Sequence, residues 1–597
     1  MSASAPAAWA EDATEDPTMN AQPLEVYMYY AALERARGDA DTRPVPDSPL
    51  TVLAKRVTGR SARIVYPDGR RRRLWGSGGS SLPASDEKVG RVGRVERVEG
   101  VEERVPSVAS AASAEAPVPT LLDVLAPPER ETAYRLLRSA SWQLVFFLIT
   151  TDVLGWYTAP MAFAQLGYGP GVLVYTCFWA LAFASGQILW RMYLALDSER
   201  YPVKCYADLG ERTYGTAVRH LFNVLQSLQL VFNTAMLIIM SGSGLAEIID
   251  WKFCYLALNV FFALLGAVLS QIKTIRGLGL FTVIGTAINI LVMALTMAGV
   301  ALYDPVPSQS GHADLSAPRV VAGWVPASRG WYQQVSGCML AVYAYGGAMI
   351  FTEFMAEMRR PRHFWKAALG AQFLCYALYM LFGIFVYSFQ GQYTNILPTV
   401  NIDSILFQGL TNILGLICIT IIAVMYAHIG CKVLYRNVLR GYFGAPSLAA
   451  AKSTAYWSAL VCAYWAVAWV IGSAIPNIAD LNTVIGGACI LQFTYTFPAA
   501  MLVGHWVQRD AIKGDTQWEP GVQPWSNRID SWRDASRWRR GFRRYWYAKI
   551  TLVVFVLGAL SLCGLGIYSG VVSAQESFRS GRTTSFSCRA PGQPANK

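Results

Sequence analysis

Eleven long apolar runs, separated by short polar loops, fill most of this 597-residue chain. A helix that crosses a lipid bilayer needs roughly 20 mostly apolar residues. Inside lipid, backbone N–H and C=O groups must bond within their own segment, so runs of this length fold as helices. The sequence therefore predicts an all-α polytopic membrane protein with eleven transmembrane helices. The predicted spans are Trp142–Ala164, Gly171–Trp190, Leu221–Ile248, Phe253–Ile272, Leu278–Leu302, Val335–Met358, Ala367–Phe389, Ile405–Ala427, Tyr456–Ala474, Val484–Val503 and Ile550–Val572.

Basic residues are distributed unevenly between the loops, and this predicts the orientation of the spans. The loops after the odd-numbered spans contain only Lys252, Arg319 and Arg329, whereas the loop after span 10 alone carries a dense run over Arg533–Arg544. Short cytoplasmic loops are enriched in Lys and Arg. We therefore expect the even-numbered loops and the N-terminus in the cytoplasm and the C-terminal tail outside. The same placement explains the net charge of +12 without a nucleic-acid partner.

Composition divides the chain into three parts. Residues 1–125 predict a disordered cytoplasmic N-terminal tail, because stretches such as Asp86–Val105 lack the apolar variety that a core needs. Within this tail, Pro23–Arg37 could form a short amphipathic helix, either transient or docked. Residues 126–572 hold the eleven-span domain, and residues 573–597 are predicted to be an extracytoplasmic tail. We expect residues 1–110 to be dispensable for transport itself.

Short sequence patterns predict neither a cofactor nor an enzyme. The eleven cysteines are scattered, and their spacing indicates neither a zinc site nor a disulfide framework; Cys588 is alone in the C-terminal tail. The chain contains no His-Glu-x-x-His, Gly-x-Ser-x-Gly or phosphate-binding Gly-x-x-x-x-Gly-Lys pattern. We therefore expect no metal and no cofactor.

Two spans carry helix-breaking residues. Leu148–Pro160 in span 1 reads LITTDVLGWYTAP, and Val342–Phe354 in span 6 reads VYAYGGAMIFTEF with Gly346–Gly347 at its centre. If spans 1–5 and 6–10 are repeats, the two breaks occupy matching positions, which is typical of a transporter binding site. Freed amides can hold a carboxylate and freed carbonyls an ammonium group. The alternative for the glycine pair is close helix packing.

Three ordered motifs resemble the amino acid/auxin permease family. Thr150–Gly171 is similar to that family's first-span signature, Tyr206–Gly215 to its loop between spans 2 and 3, and Tyr343–Glu353 to its sixth-span motif. The resemblance covers about residues 140–570, and Thr151–Pro160 is most similar to the fungal neutral amino acid permeases.

The resemblance implies eleven helices with a five-plus-five inverted repeat and broken helices 1 and 6. It also implies proton-coupled uptake of amino acids, with neutral amino acids as the expected substrates. Asp152 departs from the family pattern, because many members carry a small residue there. An ionisable group inside a span marks an ion path by default, although Asp152 could also cap the second half of a broken helix.

Several further side chains are candidates for function. Glu353 could take part in proton coupling or close an inner gate with a loop arginine; with Glu357 it could instead form surface ion pairs. His428 could relay protons or simply pack, and Thr420 has no adjacent hydroxyl residue, which favours protons over sodium. The predicted substrate-binding residues are Thr151, Asp152, Val153, Leu154, Gly155, Asn233, Tyr343, Tyr345, Gly346 and Gly347, with Thr234 as a further lining candidate, and the predicted proton-coupling residues are Asp152 and Glu353.

These patterns together predict a secondary active transporter that carries amino acids with protons. The alternative is an amino-acid-binding membrane sensor that signals through the cytoplasmic tail. The expected partners are a small-molecule amino acid, protons and the lipid bilayer. A plasma-membrane location is favoured over the vacuolar membrane.

Overall fold

A computed structural model describes residues 24–40, 63–65, 71–73, 140–155, 157–198, 201–271, 279–304, 319–327, 329–402, 404–440, 443–446, 453–475, 477–512, 535–579 and 585–589. The chain divides into two compact units, residues 50–130 and the remainder. In the smaller unit, the antiparallel strands Arg63–Val65 and Arg71–Arg73 pair, with Ile64 opposite Arg72. In the larger unit every described element is helical.

Helices occupy all the predicted spans. Spans 2 to 5 are Tyr168–Leu196, Thr216–Ile248, Tyr255–Leu269 and Gly279–Leu302; spans 7 to 9 are Phe364–Gln390, Ile405–Leu434 and Ser453–Ala474; span 11 is Trp546–Arg579. Span 8 continues as a π-helical turn over Tyr435–Arg440. Span 10 runs from Ile478 to Ala511 as α-helix Ile478–Ile485, π-helical Gly486–Ile490 and Gln492–Thr496, and α-helix Phe497–Ala511. Shorter helices cover Tyr206–Tyr214 and Ala535–Arg543, and 3-10 turns cover Pro361–His363, Gly391–Tyr393 and Pro398–Asn401.

The number of membrane crossings stays a prediction. Among the described residues, nine helices are long and apolar enough to cross a membrane, and a bent pair makes ten. Span 4, Tyr255–Leu269, has 15 helical residues. That length corresponds to about 22 Å, which is short of the roughly 30 Å hydrocarbon core.

Both predicted helix breaks are confirmed. Span 1 consists of Trp142–Val153 and Thr158–Leu166, whose axes are bent by 51°. Span 6 consists of Trp331–Ala344 and Phe351–Glu357, with a 3-10 turn over Ala348–Ile350 between them. The fold therefore exposes backbone polar groups in the middle of two apolar spans.

The start of span 1 and the end of span 6 are tied together. The amide of Ala140 donates to the carbonyl of Glu357 at 2.9 Å, and the amide of Arg359 donates to the carbonyl of Ala140 at 3.1 Å. The Glu357 side chain lies 3.4 Å from the Lys432 ammonium of span 8. Three spans therefore meet at this end of the bundle, the predicted cytoplasmic end.

A charged cluster lies at the same end, between spans 2 and 3. Arg219 contacts Glu211 at 2.8 Å and Asp208 at 3.7 Å. Burial raises the pKa of the Asp208 carboxyl, but the guanidinium groups of Arg436 and Arg219 outweigh burial, so its pKa lies below its usual value. This carboxyl is therefore held ionised by the arginines that surround it.

The N-terminal helix, Leu24–Ala40, lies within the segment that composition predicted to be disordered, and it overlaps the predicted amphipathic helix. Tyr27 is buried and packs edge-on against Tyr201 with ring centroids 5.3 Å apart, while the guanidinium of Arg212 lies 4.6 Å from the Tyr27 ring centroid. Arg362, in the loop after span 6, donates to the carbonyl of Arg35 at 2.5 Å. The helix therefore contacts the loops after both span 2 and span 6.

A disulfide joins Cys254, before span 4, to Cys588 in the C-terminal tail. The tail also lies along span 9, because the amide of Phe586 donates to the carbonyl of Ser473 at 3.0 Å. The cysteine spacing had predicted no disulfide framework, and this bond corrects that expectation. The two residues are 334 positions apart, so the fold and not a local pattern sets their pairing. Both cysteines must lie on one side of the membrane, and disulfides persist where the compartment is oxidising.

Candidate functional site

A cavity lies between the breaks of spans 1 and 6. It encloses about 1030 Å³ of space free of atoms, including its open mouth. Spans 3, 5 and 8, the loop before span 8 and Ile490 of span 10 complete its wall. Most of the wall is apolar, and the polar residues among the lining are Asp152, Tyr157, Asn233, Glu247, Asn289, Tyr343, Thr399, Thr411, Asn412 and Tyr426.

Tyr379 of span 7 holds the two breaks together. Its fully buried hydroxyl accepts from the amide of Gly155 at 2.8 Å. The same hydroxyl is placed to donate to the carbonyl of Val153 or to the carbonyl of Ala344, the latter at 3.1 Å. One side chain therefore satisfies backbone groups that both interrupted helices leave open, as such groups require in lipid.

Span 5 supports the break of span 1 from the other side. Asn289 donates through Nδ2 to the carbonyl of Leu154 at 2.9 Å. Thr151 donates to the carbonyl of Thr282 at 3.1 Å and lies 3.0 Å from the Thr286 hydroxyl. The Thr151 side chain is thus directed at span 5 and does not line the cavity.

Asp152 lies where the two breaks approach each other. Its carboxyl interacts with the hydroxyl of Tyr426 in span 8. A Cβ on Gly347 would lie only 2.5 Å from Asp152 Oδ2 and 2.8 Å from a methyl group of Val153. Glycine at 347 therefore leaves the space that the Asp152 carboxyl occupies.

Three oxygen acceptors at this end of the cavity lack hydrogen-bond donors within the described part of the chain. They are Asp152 Oδ2, Asn233 Oδ1 and Asn289 Oδ1. Asn233 and Asn289 are each 3% exposed, and all three residues line the cavity. The lining, as far as the structure describes it, contains no Lys, Arg or His. A buried acceptor without a donor costs free energy, so this arrangement suits a ligand that brings N–H donors and positive charge.

Seven of the ten predicted substrate-binding residues line this cavity, namely Asp152, Val153, Leu154, Gly155, Asn233, Tyr343 and Gly346. Thr151 is directed at span 5, and Gly347 lies behind the Asp152 carboxyl. Tyr345 packs against Tyr379 and Tyr175, with ring centroids 5.5 and 5.9 Å away. The role of each residue in binding stays a prediction.

The remaining candidates lie away from the cavity. Glu353 accepts a hydrogen bond from Gln226 of span 3 at 2.7 Å, and Arg436 lies near enough to act on it electrostatically. His428 is buried against Trp457, with ring centroids 5.6 Å apart. Thr234 donates to the carbonyl of Leu230, within its own helix, at 2.9 Å.

Sequence reasoning missed seven of the ten polar lining residues, and four of the seven (Glu247, Asn289, Asn412 and Tyr426) bond to one another or to the span 1 break. Asn289 and Tyr426 contact the span 1 break, while Asn412 donates to Glu247 Oε2 at 2.7 Å near the other end of the cavity. Glu247 offered a signal, because it is an acid near the end of an apolar run. Only the rotation of each helix, which periodicity does not fix, decides that the other three face the cavity.

The model of the family described as "Transmembrane amino acid transporter protein" matches residues 138–504, more than half of the chain. The chain belongs to this amino acid transporter family. The match spans both helix breaks and the cavity between them, and the apolar helices make the protein a multi-pass membrane protein.

Individual relatives agree with the family match. A transmembrane transporter of Gibberella moniliformis is 26% identical over 384 residues, which cover 61% of this chain and 75% of the relative. An N amino acid transport system protein of Neurospora crassa is 21% identical over 484 residues, which cover 77% and 91%. A solved structure of a Na⁺-coupled sialic acid symporter, substrate-bound and outward-open, has a TM-score of 0.45 at 11% identity and covers 74% of this chain and 92% of that one.

Gly347→Ala tests whether the crowded contact between the breaks matters to this transporter. The added Cβ would displace the Asp152 carboxyl, so we expect the initial rate of amino acid uptake to fall about tenfold, or roughly 1.4 kcal/mol in activation free energy. The matched control is Gly558→Ala in span 11, where an added Cβ meets nothing within 4 Å. Equal uptake by both variants, at equal abundance in the membrane, would show that the contact is not needed.

Proposed function

We propose that the protein is a secondary active transporter that carries amino acids, in particular those with uncharged side chains, together with protons. The observation that carries this proposal is the set of unpaired acceptors on Asp152, Asn233 and Asn289 at the breaks of spans 1 and 6. An α-ammonium group supplies the three N–H donors and the charge that this set lacks. The apolar part of the wall, including Leu237, offers space for an uncharged side chain.

Asp152 supports proton coupling. Burial disfavours the charged form of a carboxyl, whereas a bound ammonium group favours it. A carboxyl has two oxygens, so a protonated Asp152 still accepts one N–H of the ammonium group through Oδ2, which has no other donor in the described part of the chain. Movement in one direction is coupled when the carrier reorients only with both the proton and the substrate bound.

The test is uptake of labelled neutral amino acid into proteoliposomes with the membrane potential clamped at zero. A gradient of one pH unit is worth about 1.4 kcal/mol per proton, so one proton per substrate gives about tenfold accumulation. Uptake that stops at equal concentrations with and without the gradient would contradict proton coupling. Binding without any uptake would contradict transport.

Binding without uptake is the result expected of the second candidate, an amino acid sensor. The observation in its favour is the docked N-terminal helix, because Tyr27 packs on Tyr201 after span 2 and Arg35 contacts Arg362 after span 6. Movement of span 6 around a ligand would reach the tail through this contact. The plasma membrane is the proposed location for either function.

A further inference from the structure

A second acid lies in the same cavity, far from Asp152. Glu247, near the end of span 3, lines the wall and accepts a hydrogen bond from Asn412 of span 8 through Oε2 at 2.7 Å. Among the described residues, the side-chain hydrogen bond that this carboxyl accepts is the one from Asn412 to Oε2, and none is recorded to Oε1. Asn412 thus fixes the carboxyl while one oxygen stays available to the cavity.

The two acids contact residues at different heights along span 8. Asn412 contacts Glu247, Tyr426 contacts Asp152, and both lie within the helix Ile405–Leu434. The backbones of Asn412 and Tyr426, fourteen residues apart in this helix, are separated by about 21 Å along the helix axis. A free amino acid is one residue long, about 3.6 Å of extended backbone, so its ammonium group contacts either Glu247 or Asp152 and not both.

Glu247 lies toward the end of the cavity that the charge pattern places outside. It is near the end of span 3, and its partner Asn412 is near the start of span 8, so both belong to the predicted outer halves of their helices. Thr399, from the loop before span 8, lines the same region. A ligand that enters from this side meets Glu247 before it meets Asp152.

We propose that Glu247 and Asn412 form a second, outer site that receives the ammonium group of an incoming amino acid and disfavours amino acids with an anionic side chain. The site rests on the proposed function only in that the transported substrate carries an ammonium group. A cleft lined by charges of one sign raises the local concentration of the opposite charge and the rate of association. Because neither acid has a basic neighbour in the described lining, an anionic side chain meets repulsion and no compensating cation.

The experiment is uptake of a labelled neutral amino acid by Glu247→Gln in proteoliposomes at low ionic strength. We expect KM to rise about fivefold with an unchanged maximal rate, because association slows while the inner site stays intact. The difference should shrink at high ionic strength, since salt screens a charge in an open vestibule. Unlabelled glutamate should inhibit the variant more strongly than the wild type.

Two further variants separate charge from fold. Glu247→Asp keeps the charge and should keep KM within about twofold of the wild type. Glu576→Gln is the matched control, because Glu576 is an exposed acid in span 11 that accepts from Tyr332 at 2.9 Å and does not line the cavity. Asn412→Ala is the substitute test if Glu247→Gln fails to fold. It removes the hydrogen bond that holds the Glu247 carboxyl, and we expect it to raise KM as well.

An unchanged KM and unchanged glutamate inhibition in Glu247→Gln would overturn the outer site. A fall in maximal rate at constant KM would overturn it as well, because that result assigns Glu247 to the transport cycle and not to capture. Failure of the wild type to transport any amino acid would instead overturn the proposed function, so the two failures are distinguishable.

Discussion

Asp152→Asn should abolish uphill accumulation of amino acid driven by a pH gradient. Asparagine keeps the size of the side chain and much of its hydrogen bonding, including that to Tyr426, but it cannot take up and release a proton. In proteoliposomes with a gradient of one pH unit, the accumulation ratio should fall from about ten to one. Exchange of labelled for unlabelled substrate should persist if Asp152 serves only the proton, and both activities should fall if it also holds the ammonium group.

A matched variant controls for the loss of a buried acid as such. Asp480 in span 10 accepts from the hydroxyls of Ser573 and Ser577, at 2.6 and 3.0 Å, and does not line the cavity. Asp480→Asn should therefore retain uphill accumulation. If Asp152→Asn accumulates substrate with unchanged pH dependence, Asp152 is a structural cap, and Glu353 and His428 become the next proton sites to test.

Lys549→Met should destabilise the protein more than other single lysine changes. The Lys549 ammonium is 0% exposed, contacts Asp510 Oδ2 at 2.6 Å, and donates to the carbonyls of Gly541 and Arg544 at 2.6 and 2.9 Å. Removing Lys549 leaves the buried Asp510 with only the more exposed Arg509, at 3.3 Å, as a basic partner, at a cost of about 3 kcal/mol. We expect the apparent Tm in detergent to fall by about 2–3 °C.

Two companion variants test the reason for that fall. Lys549→Met combined with Asp510→Asn removes both charges and should recover most of the lost Tm. Lys366→Met is the control, because Lys366 is exposed beside Trp365. A double variant that is less stable than Lys549→Met alone would show that packing, and not the unpaired charge, explains the effect.

The sequence predicted the spans and their breaks well, because both follow from local physics. A run such as Ile405–Ala427 must form a helix in lipid. The glycine pair Gly346–Gly347 is visible in the local sequence as an interruption of such a run. Boundaries shifted where helices continue into the interface, so that span 2 begins at Tyr168 and ends at Leu196. The family resemblance is confirmed by the match over residues 138–504.

The cavity wall was predictable only in part. Asp152 was recognisable as an acid in a break, whereas Tyr379 and Asn289 are ordinary residues in apolar helices until the fold brings them to backbone groups of span 1. Which side of a helix faces a cavity depends on its rotation against several neighbours, and an apolar helix without a polar stripe carries no signal for that rotation. The pairing of Cys254 with Cys588 is of the same kind, since only assembly of distant segments decides it.

That disulfide also depends on the order in which the chain is synthesised and inserted into the membrane. Cys254 is synthesised before span 4 and every later span, and its partner Cys588 follows only 334 residues later. The bond therefore cannot close with its proper partner until the last span has been inserted in the right direction. A chain that leaves span 11 uninserted keeps the two thiols on opposite sides of the bilayer. The disulfide is thus present only in completely inserted molecules. A quality-control step or a thiol-specific label can distinguish them from molecules in which these two thiols are still free.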